Sequence, residues 1–249
     1  MGRTAGPSAL PFGSSLVSRL PAVGRPALAL ERGPQGLFLL WAAYVGLLVA
    51  GAVTLYRKGV WSMLLRADPT GLTLVICVLF AVSTAWVGVR AWTLGRQREA
   101  LAHWRPSAAS TYASSALDGS LPWAWRYLEA VRRHRGDVSV ARDLLTEATH
   151  GPHEMAWWFN GIQLKLGLLG KVIGFSVLAL ELGQMQSFDP SQSTQMLKSL
   201  TGGLGIALLT TMTGLAGNIL LGLQLMRLDR CADALAADIL AAGEAERGG

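Results

Sequence analysis

The sequence predicts an all-α, polytopic membrane protein with four transmembrane helices and a small helical cytoplasmic segment. Three observations predict it. Of the 249 residues, 51% are hydrophobic and only 15% charged, against about 25% charged in a soluble domain. Uncharged runs of bilayer-crossing length recur along the chain. Basic residues gather in alternate connections. The length would also fit one or two soluble domains. Composition excludes collagenous, disulfide-rich and fully disordered classes. The net charge of +6 comes almost wholly from arginine in loops, so nucleic acid is not an expected partner.

Residues 1–35 are dense in Gly, Pro and Ser, and Pro11, Arg19, Pro21, Arg25 and Pro26 interrupt their apolar patch. They read as a cytoplasmic N-terminal arm or a short helix on the membrane surface, not a cleaved signal peptide. A first transmembrane hairpin occupies 36–92. Its spans are Leu37 to Tyr56, closed by Arg57 and Lys58, and Gly71 to Val89, closed by Arg90. At about 1.5 Å per residue each crosses a core of roughly 30 Å. Residues 93–158 form a cytoplasmic helical segment. Arg105 to Ser120 reads as a linker. Trp123–Arg135 and Val138–Thr149 read as two short helices, parted by Gly136 with Asp137 as N-cap. Arg132, Arg133 and Arg135 cluster there, as a solvated helix end near anionic headgroups or as a docking patch. A second hairpin spans 159–226, followed by a cytoplasmic tail, 227–249. Its first apolar run, Phe159 to Leu182, is interrupted by Lys165, Lys171 and Glu181. Its second, Leu200 to Met226, carries no charge. Cys77 falls inside a span and Cys231 in the tail, so no disulfide is expected.

Orientation follows from the basic residues. The arm, the long segment and the tail hold fifteen of them, and the two short loops hold four. The rich side is cytoplasmic, which places both termini inside.

The second hairpin carries the patterns that bear on function. In the last span Gly203, Ala207, Thr210 and Thr211, Gly214, Asn218 and Gly222 recur every three or four residues, on one helical face. Leu208, Met212, Leu215, Ile219, Leu223 and Met226 take another. A small, polar stripe in hydrocarbon either packs helices or packs and also lines an ion path. The third span has Gly167, Gly170 and Gly174, the last two a G-x-x-x-G pair. Lys171 borders that face and falls near the expected bilayer centre, where a cation costs about 2.5–3.5 kcal/mol. Lys165 reads as near the cytoplasmic end, snorkelling, and Glu181 as interfacial at the other.

LGLLGKVIGF (166–175) and ALLTTMTGLAGNI (207–219) resemble the two signature helices of the MotA/TolQ/ExbB proton-channel family. The resemblance covers about 158–230. Four spans with a long cytoplasmic segment look MotA-like. The resemblance implies a bacterial inner-membrane motor subunit. Five copies would surround two copies of a single-span MotB/TolR/ExbD-like partner with a membrane aspartate, and proton flow would be coupled to rotation or force. Thr211 then matches the family's threonine beside the carrier aspartate. Thr210, Asn218 and Gly214 join it on the ion path or facing the partner, while Gly167, Gly170, Gly174, Gly217 and Gly222 pack helices.

Lys171 departs from the family, which has threonine there. Three arrangements accommodate it: a neutral lysine, a pair with the partner's carboxylate, or a side chain turned to a subunit interface. Pairing is preferred. The alternative to a motor is a non-conducting scaffold of the same architecture. A transporter lacks the internal repeat it would need. No enzyme and no cofactor are expected. His150 and His153 with Glu154 form only a weak metal pattern, read as surface residues, and no phosphate-binding Gly loop is present.

Overall fold

A computed structural model of the chain describes residues 36–68, 70–104, 122–133, 138–183 and 190–248. The N-terminal arm, the Arg105–Ser120 linker and the Gly136–Asp137 break lie outside the described residues. Among the described residues there are six helices and no strand: α1 Gly36–Arg57, α2 Val60–Ala67, α3 Leu72–Ala102, α4 Trp123–Arg133, α5 Ser139–Gly183 and α6 Pro190–Gly248. Four stretches are long and apolar enough to cross a membrane: α1, α3, α5 and Leu200–Arg247 of α6. The chain is thus an all-α, multi-pass membrane protein. Both cysteines are free.

The turn joining α1 to α3 depends on two glycines. Gly59 (φ 71°) and Gly71 (φ 70°) adopt left-handed conformations that strain any residue with a β-carbon. Between them, Asp68 caps α3. Its Oδ2 accepts the Thr73 N–H at 2.7 Å, and its Oδ1 accepts the Thr70 N–H at 3.0 Å and the Thr70 hydroxyl. Burial pushes the Asp68 carboxyl up, but the bonds from Thr70 and Thr73 outweigh it and hold the group below its ordinary value. Asp68→Ala strands these donors and should cost about 1–2 kcal/mol, the usual penalty for losing a cap. Thermal unfolding in detergent would read it, and an unmoved midpoint would refute the cap.

The helices run longer than hydropathy predicts. The segment read as a short helix over 138–149 is the first part of α5, and the tail is the last part of α6. Pro152 sits inside α5 without ending it. Proline has no N–H, so the Ala148 carbonyl four residues back loses its helical donor. Arg90 of α3 supplies the replacement: its Nη2 lies 3.2 Å from the carbonyl oxygens of both Ala148 and Thr149. The guanidinium also stacks 5.4 Å above Trp123 of α4.

The apolar core lies around and beyond Arg90. Leu221, Leu225, Leu228, Ala232, Leu235 and Ile239 are buried along α6 at alternating steps of four and three, the spacing of a helix seam. They meet Val87, Ala91 and Leu94 of α3 and Tyr127, Leu128 and Val131 of α4 in one cluster. Toward the other end the bundle consists of α1, α3, α5 and α6, whose outward faces are apolar and exposed, with the short α2 packed on α1 and α6.

Candidate functional site

The seam between α5 and α6 gathers most of the residues that the sequence singled out. Gly167, Gly170 and Gly174 are buried on one face of α5. Opposite them lie Gly203, Ala207, Thr210 and Gly214. A β-carbon on Gly174 would fall 2.7 Å from both the Ala207 nitrogen and the Gly203 oxygen; on Gly214 it would fall 2.7 Å from the Gln163 oxygen. The backbones approach closely because these positions have little or no side chain. The Thr210 side chain, fully buried, lies against Gly170.

The hydroxyls in this seam are satisfied inside the chain. Thr210 donates to the Ile206 carbonyl at 2.8 Å. Thr211 donates to the Ala207 carbonyl at 2.7 Å, with the Gly167 carbonyl at 3.3 Å across the seam. Such back-bonding is how a hydroxyl meets its needs in lipid. Within one chain the stripe of α6 therefore faces α5 at backbone contact.

Toward the Arg90 end the seam turns polar. Gln163 packs against Gly217. Asn218 donates to the Asn160 carbonyl at 2.9 Å, and Gly222 leaves room for the Asn160 side chain. Trp157 Nε1 donates to Asp229 Oδ2 at 2.8 Å, and His153 Nδ1 meets Asp229 Oδ1 at 2.7 Å. His150 Nε2 lies 2.8 Å from Asp233 Oδ1. His153 is 3% exposed, which corrects its reading as a surface residue. Its pKa falls below the ordinary value chiefly through burial; Arg90 and His150 push the same way and Asp229 opposes them. Among the described residues no cluster of three metal-ligating side chains occurs.

The sequence reading missed Asn160, Gln163, Trp157 and Asp229. Their signal was present: His153, Trp157, Asn160, Gln163, Gly167 and Gly170 recur every three or four residues. Asp229 and Asp233 likewise continue the stripe of Asn218 and Gly222.

Contacts between helices also set the register of the spans. Arg90 of α3 meets the Ala148 and Thr149 carbonyls of α5, and the Trp86 ring packs on His153 at 6.3 Å, so Phe80, the midpoint of the uncharged run 71–89, falls opposite about residue 159 of α5. Tyr44 of α1 donates to the Leu220 carbonyl at 3.1 Å. The apolar run 159–182 of α5 therefore extends past the far end of the first hairpin. Lys171 is exposed and turned away from the glycine seam.

Comparison with known proteins returned no matching family model, no matching curated protein and no matching solved structure.

Proposed function

We propose that the chain is the ring subunit of an ion-motive-force-driven motor in the bacterial inner membrane, five copies around a two-copy single-span partner, with both termini cytoplasmic. The observation that carries this reading is the paired signature, LGLLGKVIGF and ALLTTMTGLAGNI, lying on adjacent antiparallel helices with Thr211 bonded across to Gly167. Two further features support it. Among the described residues, the runs 37–56, 71–89, 159–180 and 200–226 contain no Asp or Glu, which fits an ion carrier on another polypeptide. One chain also leaves Leu208, Met212, Leu215, Ile219 and Leu223 exposed along α6, an apolar face that neighbouring subunits would cover. The ion path then runs along the ring's inner wall, not through the closed α5–α6 seam.

The scaffold reading draws on one observation: both threonine hydroxyls are satisfied within the chain. Cryo-EM of the particle purified from native membranes separates the two. The motor reading expects five copies around two single-span helices. It also expects Thr211→Val to abolish ion-driven work with assembly intact, while Thr211→Ser, which keeps the hydroxyl, retains it. A monomer, or full work by Thr211→Val, refutes it.

A further inference from the structure

We propose that the cavity between α1, α3 and α6 is a binding site for one anionic phospholipid, with the lipid phosphate on Arg227 and an acyl chain inside the cavity. The site goes beyond the motor reading and does not depend on it.

The cavity measures about 340 Å³, within the usual range for small-molecule sites. It lies where two uncharged runs end. Leu37 begins the run of α1 and Arg227 follows the run of α6, and both line the cavity. On α1 the lining residues Leu37, Trp41 and Tyr44 fall at steps of four and three, on one helical face. From Leu37 to Tyr44 is about 10 Å along the axis, so the cavity reaches about that far into the hydrocarbon. Ala91 of α3 also lines it, and its single methyl group leaves room that a longer side chain would fill. Hydrogen bonds tie the helices together at the inner end. Trp41 Nε1 donates to the Thr84 carbonyl at 3.0 Å and Tyr44 to the Leu220 carbonyl at 3.1 Å. Gln224 of α6 donates to Thr84 Oγ1 of α3 at 3.2 Å. Leu223, 52% exposed, lines the same cavity, which therefore opens on the lipid-facing surface of the bundle.

Two properties choose the occupant. The lining is mainly apolar and sits among membrane spans, where the surrounding solvent is lipid, so an acyl chain is the group that fills it. The outer end is cationic. Arg227 is exposed there, and among the described residues no Asp or Glu lines the cavity. Asp229, the next acidic residue along α6, is turned to His153 and Trp157. A guanidinium carries five N–H donors in a planar fork. It takes two phosphate oxygens at once and keeps donors for another contact. A basic pocket between membrane helices at the hydrocarbon boundary favours anionic headgroups. A zwitterionic lipid brings its own ammonium to the same place, where Arg227 repels it.

The test uses the full-length chain purified in detergent, and native mass spectrometry with phosphatidylglycerol or phosphatidylcholine of equal chain length. The parent should retain phosphatidylglycerol about fivefold more than phosphatidylcholine, the effect of one basic side chain near an anionic headgroup. Arg227→Gln should remove that preference. Arg230→Gln, one turn on and outside the cavity lining, should keep it. Leu223→Trp, at an exposed position, should block the mouth and lower the binding of both lipids. A phosphatidylglycerol with a diazirine in its acyl chain locates the site. Light expels nitrogen from the ring, and the carbene inserts into a neighbouring C–H bond. The label should appear within 37–44 and 223–228. Equal losses in Arg227→Gln and Arg230→Gln overturn the proposal, because charge alone then attracts the lipid. Competition by glycerol phosphate as strong as that by the whole lipid also overturns it, since the site then holds a free phosphate. So does a label confined to 208–219, or a chain that takes up lipid only after residues 1–35 are deleted, which would make that arm the occupant.

Discussion

Gly214→Leu is expected to destroy the packed α5–α6 hairpin. The first atom added would lie 2.7 Å from the Gln163 carbonyl oxygen and 2.9 Å from the Gly167 α-carbon. Both are backbone atoms, so no change of rotamer relieves the overlap. Overpacking a core costs about 1–3 kcal/mol when side chains can shift. Here whole helices must part, and the Thr211 approach to Gly167 is lost with the seam. A cost of about 3 kcal/mol or more is a large share of a stability of roughly 5–15 kcal/mol. Gly205→Leu, on the same helix, is the control, because nothing lies within 4 Å of its new carbon and leucine is a good helix former, whereas glycine sits about 0.8–1.0 kcal/mol below alanine. Thermal unfolding of the detergent-solubilised protein should show a large drop for Gly214→Leu and none for Gly205→Leu. Equal midpoints would mean that the seam does not hold the hairpin. Under the proposed ring assembly, Gly170→Leu and Gly174→Leu should likewise prevent ring formation, and a normal oligomer would count against this packing.

The fold class was legible because lipid imposes a simple rule: uncharged runs of about 20 residues become helices. Helix ends were less legible. The reading of 138–149 as a separate short helix failed because α5 continues through Pro152, where the distant Arg90 donates to the stranded Ala148 carbonyl. No local pattern reveals a donor 58 residues away. Register was hidden for a related reason. The apolar run of α5 extends past the end of the first hairpin, and only the contacts of Arg90 with Ala148 and Thr149 and of Trp86 with His153 show the offset. The glycine stripes were readable as stripes. That the two stripes face each other within one chain required the antiparallel register, which sequence periodicity does not contain.

Acidification should destabilise the Arg90 end of the hairpin through His153. Asp229 of α6, Arg90 and Trp86 of α3, and His150 and Trp157 of α5 surround this ring. Burial pushes its pKa below the ordinary 6.5, so the folded protein resists the proton that the unfolded chain accepts. Below about pH 6.5 the unfolded state then holds more protons, and stability falls as pH drops toward the lowered folded value. Above that window His153 contributes no slope. Unfolding midpoints from pH 8 to 5 should be flat at first and then decline, and His153→Gln should flatten the decline. An unchanged slope in that variant would exclude His153 as its source. Asp229→Ala should act at every pH. It strips an anionic acceptor from both Trp157 and a nearly buried imidazole, and a hydrogen bond to a charged group contributes about 1.5–3 kcal/mol. It also removes the one influence that raises the His153 pKa, so the decline should extend to lower pH. A variant as stable as the parent would show that Asp229 joins the helices in geometry but not in energy.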